Sequence, residues 1–378
     1  MSEAEAPENE GQLERLPVSV ITGFLGSGKT TLLKNLLHQP DMADTAVVIN
    51  EFGEIGLDHL LVATPSENTV LLANGCLCCT IRGDLVETLT GLLARRGTGG
   101  IPAFDRVLVE TTGVADPVPI LRTLASDEIV APRLRLGAVI TVVDAVNGRN
   151  QLETCPESVK QAAIADCLLV SKTDLAGNDE IDRLRQHLSR VNPGAQVHDV
   201  VHGEIEPMLL FGATLDDPAA QQEQVERWLN EPAYVKAERP ALNGRRARKA
   251  SHTDRISAFA VRREEAVTAA GLAAWLNLLA TLKGANLLRV KGLVNVEGRP
   301  VAVHAVQSVI HEPVELASWP SADRSSRIVF ITRDMARPEL EATLLALDLE
   351  ARRDGEGVEI DPEAYARFAR AAAGFCGG

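Results

Sequence analysis

The sequence predicts an α/β protein with a mostly parallel, doubly wound sheet, followed by a smaller C-terminal α+β domain. Three observations carry this. From Val18 to about Phe211, short and almost continuously apolar runs alternate with amphipathic stretches, as strands covered on both faces must. After Phe211 the alternation fades, and from about residue 253 strand-like runs recur without helices between them. The 378 residues are enough for two or three ordinary hydrophobic cores.

Residues 1–16 carry five Glu against one Arg and read as a disordered acidic tail. The first domain, 17–211, has strand candidates VSVIT (18–22), AVVIN (46–50), TVLLA (69–73), RVLVE (106–110), GAVITVVD (137–144) and CLLVSK (167–172). Its helix candidates are 30–38, with Leu32, Leu33, Leu36 and Leu37 on one face, 83–95 and 179–191. Residues 212–252 read as a linker with a short helix near 225–229 and a solvated basic run, RRARK, at 245–249. In the second domain, 253–350, RISAFAVRR, LLRVKGLVNVEG, VAVHAVQSVIHE and RIVFITRD are strands, and 265–282 and 338–349 are helices. The tail 351–378 reads as one more helix.

Lys+Arg total 38 against 52 Asp+Glu, a formal charge of −14. This acidic balance argues against a nucleic-acid partner. No apolar run reaches the roughly 20 residues of a membrane span, and the N-terminus lacks a positive-then-apolar signal pattern. A cytoplasmic protein without membrane contact is the expectation. Of six cysteines, Cys76, Cys78 and Cys79 fall within four residues, while Cys155, Cys167 and Cys376 are dispersed. Clustered thiols of this kind point to metal or redox chemistry rather than to a disulfide framework.

The first strand runs into Gly23-Phe24-Leu25-Gly26-Ser27-Gly28-Lys29-Thr30, which fits G-x-x-x-x-G-K-[ST] and opens a helix. Glycines let backbone N–H groups curl round phosphates, and the helix N-terminus adds its dipole. Lys29 would reach the β- and γ-phosphates and the Thr30 hydroxyl would coordinate Mg²⁺. Glu110-Thr111-Thr112-Gly113 ends another apolar strand, placing the Glu110 carboxylate near the Mg²⁺ shell and the Gly113 amide near the γ-phosphate. Ser171-Lys172-Thr173-Asp174 looks like the guanine-reading N-K-x-D, with Asp174 accepting both N–H groups of the guanine edge. Ser171 in place of Asn shortens the group that braces this loop.

Asn74-Gly75-Cys76-Leu77-Cys78-Cys79-Thr80 reads as a loop at the end of a sheet strand, where ligands of open α/β sheets gather. Zn²⁺ favours thiolates in tetrahedral geometry, and Cys76, Cys78 and Cys79 fill three corners. The spacing does not separate zinc from copper(I), cobalt(II) or nickel(II), and thiol exchange or structural burial are the rival readings. Glu51, Glu54 and His59 are candidates for a further ligand, with Glu54 carried forward. His198 and His202 lie four apart in a strand and turn and read as structural.

GFLGSGKTT, NEFGEIGLDH, NGCLCCTIRGDL, ETTGVADP, VVDAVN and SKTD, in that order, give a chain that resembles the CobW family of P-loop GTPases. The likeness continues through LLRVKGLVNVEGRP, VHAVQSVIHEP and RIVFITRDM and covers about 17–350. It implies a P-loop GTPase domain followed by the family's C-terminal domain, and a metallochaperone that hydrolyses GTP to deliver Zn²⁺ to a client metalloprotein. By motif, Gly23–Thr30 would hold the phosphates of GTP or GDP with Mg²⁺. Lys29, Thr30 and Glu110 would serve catalysis, with Gly113 beside the γ-phosphate, and Ser171, Lys172, Thr173 and Asp174 would read the base. Cys76, Cys78 and Cys79 would hold the transferred metal, while Gly75, Cys76, Leu77, Cys78 and Cys79 would report the nucleotide state. A metal-sensing GTPase switch, or cobalt delivery for cobalamin synthesis or nitrile hydratase activation, are the alternatives. A homodimer is compatible with the sequence, which does not fix the oligomeric state. The His-rich stretch many members carry near the linker is missing, since the eight histidines are scattered.

Overall fold

The computed structural model describes residues 15–49, 69–71, 77–80, 85–99, 101–211, 225–227, 229–238, 252–282, 286–335, 337–349, 351–354 and 357–360, with backbone alone at 69–71, 77–80, 252, 254, 282, 351–354 and 357–360. Expectations for most of the acidic tail, for Glu51, Glu54, His59, Gly75 and Cys76, for the basic run 245–249 and for 361–378 lie outside the described residues.

The N-terminal strands are β1 Leu16–Thr22, β2 Thr45–Ile49, β3 Thr69–Leu71, β4 Leu77–Thr80, β5 Arg106–Glu110, β6 Leu134–Asp144, β7 Cys167–Ser171 and β8 Gln196–Val200. Helices α1 Lys29–Leu36, α2 Leu85–Gly97, α3 Val118–Ser126, α4 Gly148–Thr154, α5 Pro156–Ile164, α6 Asn178–Val191 and α7 Pro207–Phe211 connect or follow them. The sheet order is β3-β4-β2-β5-β1-β6-β7-β8, parallel throughout except for β3, which runs antiparallel to β4. The continuous apolar runs follow from this geometry. Alternate residues of one strand feed two different cores: Ala46 and Val48 pack with α2, α3, α5 and α6, whereas Val47 and Ile49 pack with α1 and α7.

From β1 the chain crosses leftward to β2, β4 and β5, then returns across β1 to β6, β7 and β8. The reversal opens a crevice at the carboxyl ends of β5, β1 and β6, where doubly wound sheets bind ligands.

A helix α8 Glu231–Ala237 precedes the second unit, whose strands are β9 Ile256–Arg263, β10 Leu287–Val296, β11 Arg299–Val306, β12 Val309–Ile310, β13 Val314–Glu315 and β14 Ser326–Arg333. They form an antiparallel sheet, β12-β11-β10-β14-β9, with β13 on β11. Helices α9 Ala269–Leu282 and α10 Arg337–Thr343 belong to it, and Trp275 of α9 and Leu340 of α10 are buried against one face of the sheet. The other face, through Ala258, Ala260, Leu288, Val306, Val329 and Ile331, shares a core with α3 and α5. Every residue of β10 is buried for that reason.

Four expectations change. Leu77–Thr80, read as loop, is strand β4: the sheet would otherwise end on β2, and an edge strand's open hydrogen-bonding groups accept a partner. The stretch read as linker contains α8, anchored by the buried Tyr234, besides helical residues at 225–227 and 229. VAVHAVQSVIHE is two strands, broken where Gln307 adopts φ 52°. In the tail read as helix, β15 Ala351–Asp354 and β16 Gly357–Ile360 pair antiparallel.

Candidate functional site

The P-loop leaves β1 at Thr22 and curls into α1. Gly23, at φ 147°, lies so close to β6 that a Cβ there would fall 2.4 Å from the Val142 carbonyl oxygen. Only glycine lets the loop tuck this tightly under the sheet edge. The Lys29 side chain is buried, and its ammonium donates to the Gly23 carbonyl at 2.8 Å and the Phe24 carbonyl at 3.4 Å. Thr30, one residue on, is exposed in the first turn of α1.

The neighbouring strands complete the crevice. Glu110 ends β5 opposite Ile21 and is buried. The Thr111 hydroxyl donates to that of Thr22 at 2.8 Å, fastening the two strand ends together. Gly113 then lies against the P-loop: a Cβ there would meet Leu25 Cδ2 at 2.7 Å and Leu25 N at 2.8 Å. The amide that would sense a γ-phosphate is thus packed directly on the phosphate loop.

On the opposite side, the Ser171 hydroxyl donates to the Ser27 carbonyl at 2.6 Å. The serine that replaces asparagine therefore still braces the P-loop. Lys172, at φ 58°, donates to the Gly26 carbonyl at 2.7 Å and to Asp144 Oδ2 at 2.8 Å. Burial alone would raise the Asp144 carboxyl, but bonds from Lys172, Asn147 and two backbone amides hold it below the ordinary carboxylate value. Asp174 projects from the turn after β7, with His202 Nε2 at 3.9 Å from its Oδ2.

The structure thus gathers the P-loop, Glu110–Gly113 and Ser171–Asp174 at one sheet edge. Two residues escaped the sequence reading. Asp144 anchors Lys172, and its signal was an acidic residue closing a long apolar strand. His202, read as structural, is exposed beside Asp174. Cys78 and Cys79 lie in β4 opposite Val47 and Val48, so their backbone approaches the same carboxyl edge two strands from Glu110. Cys167 is separate from them; burial in β7 pushes its thiol up to about 12, which makes it a core residue rather than a reactive one.

The donor set fits a magnesium–nucleotide group: a curled backbone that only glycine permits, a lysine over it, a hydroxyl at the helix start and a buried carboxylate at the next strand end. A strand, a phosphate loop, a helix and a lysine–aspartate turn bonded back to that loop define a P-loop nucleotide-binding protein of the GTPase class. Residues 17–199 match the model of the CobW/HypB/UreG nucleotide-binding domain, and 256–347 match that of the cobalamin synthesis protein cobW C-terminal domain. The chain belongs to the CobW family.

It is 41% identical over 196 residues to the zinc chaperone YjiA of Escherichia coli, a match covering 52% of this chain and 61% of that protein. It is 27% identical over 380 residues to the zinc chaperone CobW of Sinorhizobium sp, covering 90% and 99% respectively. The crystal structure of Zn(II)-bound YjiA GTPase from E. coli superposes with a TM-score of 0.67 at 30% identity, covering 88% of this chain and 99% of that one. Among the described residues, no helix is long and apolar enough to cross a membrane.

Proposed function

We propose that this chain is a cytoplasmic, GTP-hydrolysing metallochaperone that binds Zn²⁺ through Cys76, Cys78 and Cys79 and passes it to a client metalloprotein in a GTP-dependent step. The observation that carries the nucleotide part is the Lys29 ammonium over the Gly23 and Phe24 carbonyls, in a loop braced from behind by Ser171 and Lys172. Zinc as cargo is supported by the zinc chaperones among its relatives.

The chain's own groups divide the work. Backbone amides of the P-loop and the Lys29 ammonium bind the phosphates and stabilise charge that develops on transfer. Asp174 accepts the guanine N–H groups, and adenine would leave its carboxylate unpaired. Bound Mg²⁺ would neutralise phosphate charge, with the Thr30 hydroxyl as its ligand and Glu110 behind it. Val114 follows Gly113 with an apolar, exposed side chain. No carboxamide or carboxylate stands at position 114 to orient water, so intrinsic hydrolysis should be slow, with metal, dimerisation or a client as accelerator.

Titration of the full chain with GTP, ATP and Zn²⁺ tests this. GTP should bind far more tightly than ATP, and Zn²⁺ affinity should differ with and without GTP, because coupling between two sites is reciprocal. Cys78→Ser should abolish tight Zn²⁺ binding and leave GTP binding intact. Loss of zinc from the loaded protein to an apo zinc enzyme supports delivery. Zinc retained under GTP favours a metal-sensing switch instead.

A further inference from the structure

Helix α5 holds the phosphate-sensing segment from its middle and the C-terminal sheet from its last residue. At its middle, Lys160 Nζ pairs with Asp116 Oδ2 at 2.5 Å. Gln161, buried beside it, donates from Nε2 to the Ala115 carbonyl at 3.1 Å and the Gly113 carbonyl at 3.4 Å. Gln161 Oε1 finds no donor among the described residues, so the two carbonyls alone set the amide's orientation. The backbone held in this way keeps Gly113 against Leu25.

At the C-terminal residue of α5, Arg289 of β10 donates to the Ile164 carbonyl, and just beyond the helix to Asp166 Oδ1, with Lys291 Nζ 3.3 Å from the same carboxylate oxygen. Asp166 Oδ2 accepts the Val139 amide at 3.0 Å, tying the cluster to β6. Asn192 Nδ2 caps the helix end, donating to the carbonyls of Ala162, Ala163 and Ala165. Gln161 and Ile164 are three residues apart, less than one helical turn and about 4.5 Å of rise. Two residues within a single helical turn move as a rigid piece. Helix α3, which follows the sensing segment directly, reaches the same sheet through Arg122, which donates to the Ser308 hydroxyl at 2.9 Å.

We propose that α5 is a lever that lets the C-terminal sheet read the third phosphate: Gln161 is the positioning residue that sets Gly113 on the P-loop, and Arg289 carries displacement of the same helix into β10. Closing Gly113 onto a γ-phosphate pulls on the Gly113 and Ala115 carbonyls, hence on Gln161, and the buried bond from Arg289 to the Ile164 carbonyl passes that shift to β10. Reciprocity requires the converse: loosening Arg289 must alter the preference for triphosphate over diphosphate. The inference rests on the guanine-nucleotide reading above. A purely structural role for these bonds would lower stability and weaken both nucleotides equally.

The test uses the full chain with Mg²⁺, as wild type, Gln161→Leu, Gln161→Glu and Arg289→Lys. Affinities for GDP and a non-hydrolysable GTP analogue are measured, with amide hydrogen exchange of β10 in each state. Expected for the wild type is a preference between the two nucleotides and a difference in β10 protection between them. Each variant that folds should reduce the preference about fivefold or more, with GDP affinity held within about twofold, and should erase the β10 difference. Arg289→Lys keeps the charge opposite Asp166 and so remains informative if a Gln161 variant unfolds. A preference and a β10 difference unchanged in the folded variants overturn the lever alone. A wild type that distinguishes neither nucleotide in β10 also overturns it. A wild type that binds no guanine nucleotide overturns the underlying reading, and the lever with it.

Discussion

Replacing Lys172 with methionine removes the cation that, among the described residues, pairs with Asp144 across the turn after β7. Asp144 is 2% exposed and Lys172 35% exposed, with 2.8 Å between their charged atoms. A hydrogen bond to a charged group contributes about 1.5–3 kcal/mol, and the partial exposure of Lys172 places this one at the lower end. The expected loss is about 1.5 kcal/mol at pH 7, about tenfold in the unfolding equilibrium. The pH dependence identifies the cause. With its folded value depressed, Asp144 contributes stability that is present above its unfolded value and lost as pH falls through the folded one. In the variant, burial acts unopposed by Lys172 and the carboxyl rises. The stability gap between the two proteins is therefore full at pH 7 and narrows as pH drops through the carboxylate range. Urea unfolding at stepped pH measures this. A gap below about 0.5 kcal/mol, or one that stays constant to pH 3, would refute the role given to the Lys172–Asp144 contact.

Gly113→Ala drives a methyl into Leu25 N and Cδ2, so it should cost about 1–3 kcal/mol in chemical denaturation and weaken the GTP analogue more than GDP. Ser171→Ala removes the bond to the Ser27 carbonyl and should cost about 1 kcal/mol, with weaker binding of both GTP and GDP by titration. Burial, with Arg289 beside it, depresses Lys291 to about 7 against the pull of Asp166. Between that value and the ordinary 10.5, the unfolded chain binds more protons than the folded one, so stability should rise with pH. Lys291→Met should flatten that rise in urea titrations from pH 7 to 10.

The parallel sheet was legible because strands covered on both faces leave an unmistakable trace: VVI in β2 and VITVV in β6 have no polar face to disguise them. The phosphate loop was legible because its demand is local, glycine where backbone curls and lysine where phosphate lies. What was not legible depended on distant partners. Leu77–Thr80 is a strand because β2 offers it an open edge, which nothing within those four residues declares. Tyr234 makes α8 a docked helix rather than a linker by finding a buried place beside Gly194. The pairing of 351–354 with 357–360 was not legible either, since Ala351-Arg352-Arg353-Asp354 shows no alternation that would mark a strand. Ser171 is the opposite case: the departure from asparagine looked like a lost brace, yet a shorter side chain reaches Ser27 because β7 ends close beneath the loop.

The register also bounds how metal and phosphate could influence each other. Ile49 pairs with both Thr80 and Glu110, so the end of β4 stands two strand spacings, about 10 Å, from the end of β5. Held as proposed on three thiolates, Zn²⁺ would give a centre with a net charge near −1. At about 10 Å, two unit charges interact by about 0.4 kcal/mol in water and about 1.7 kcal/mol at an effective dielectric of about 20. Charge acting through space thus supplies roughly a twofold to twentyfold change in affinity per pair of unit charges, and salt screens part of it. It also has the wrong sign for cooperative loading, since an anionic thiolate–zinc centre repels a third phosphate. Mutual strengthening of Zn²⁺ and GTP binding would therefore require movement of the strands or the segment between them, whereas mutual weakening that fades with salt would require none.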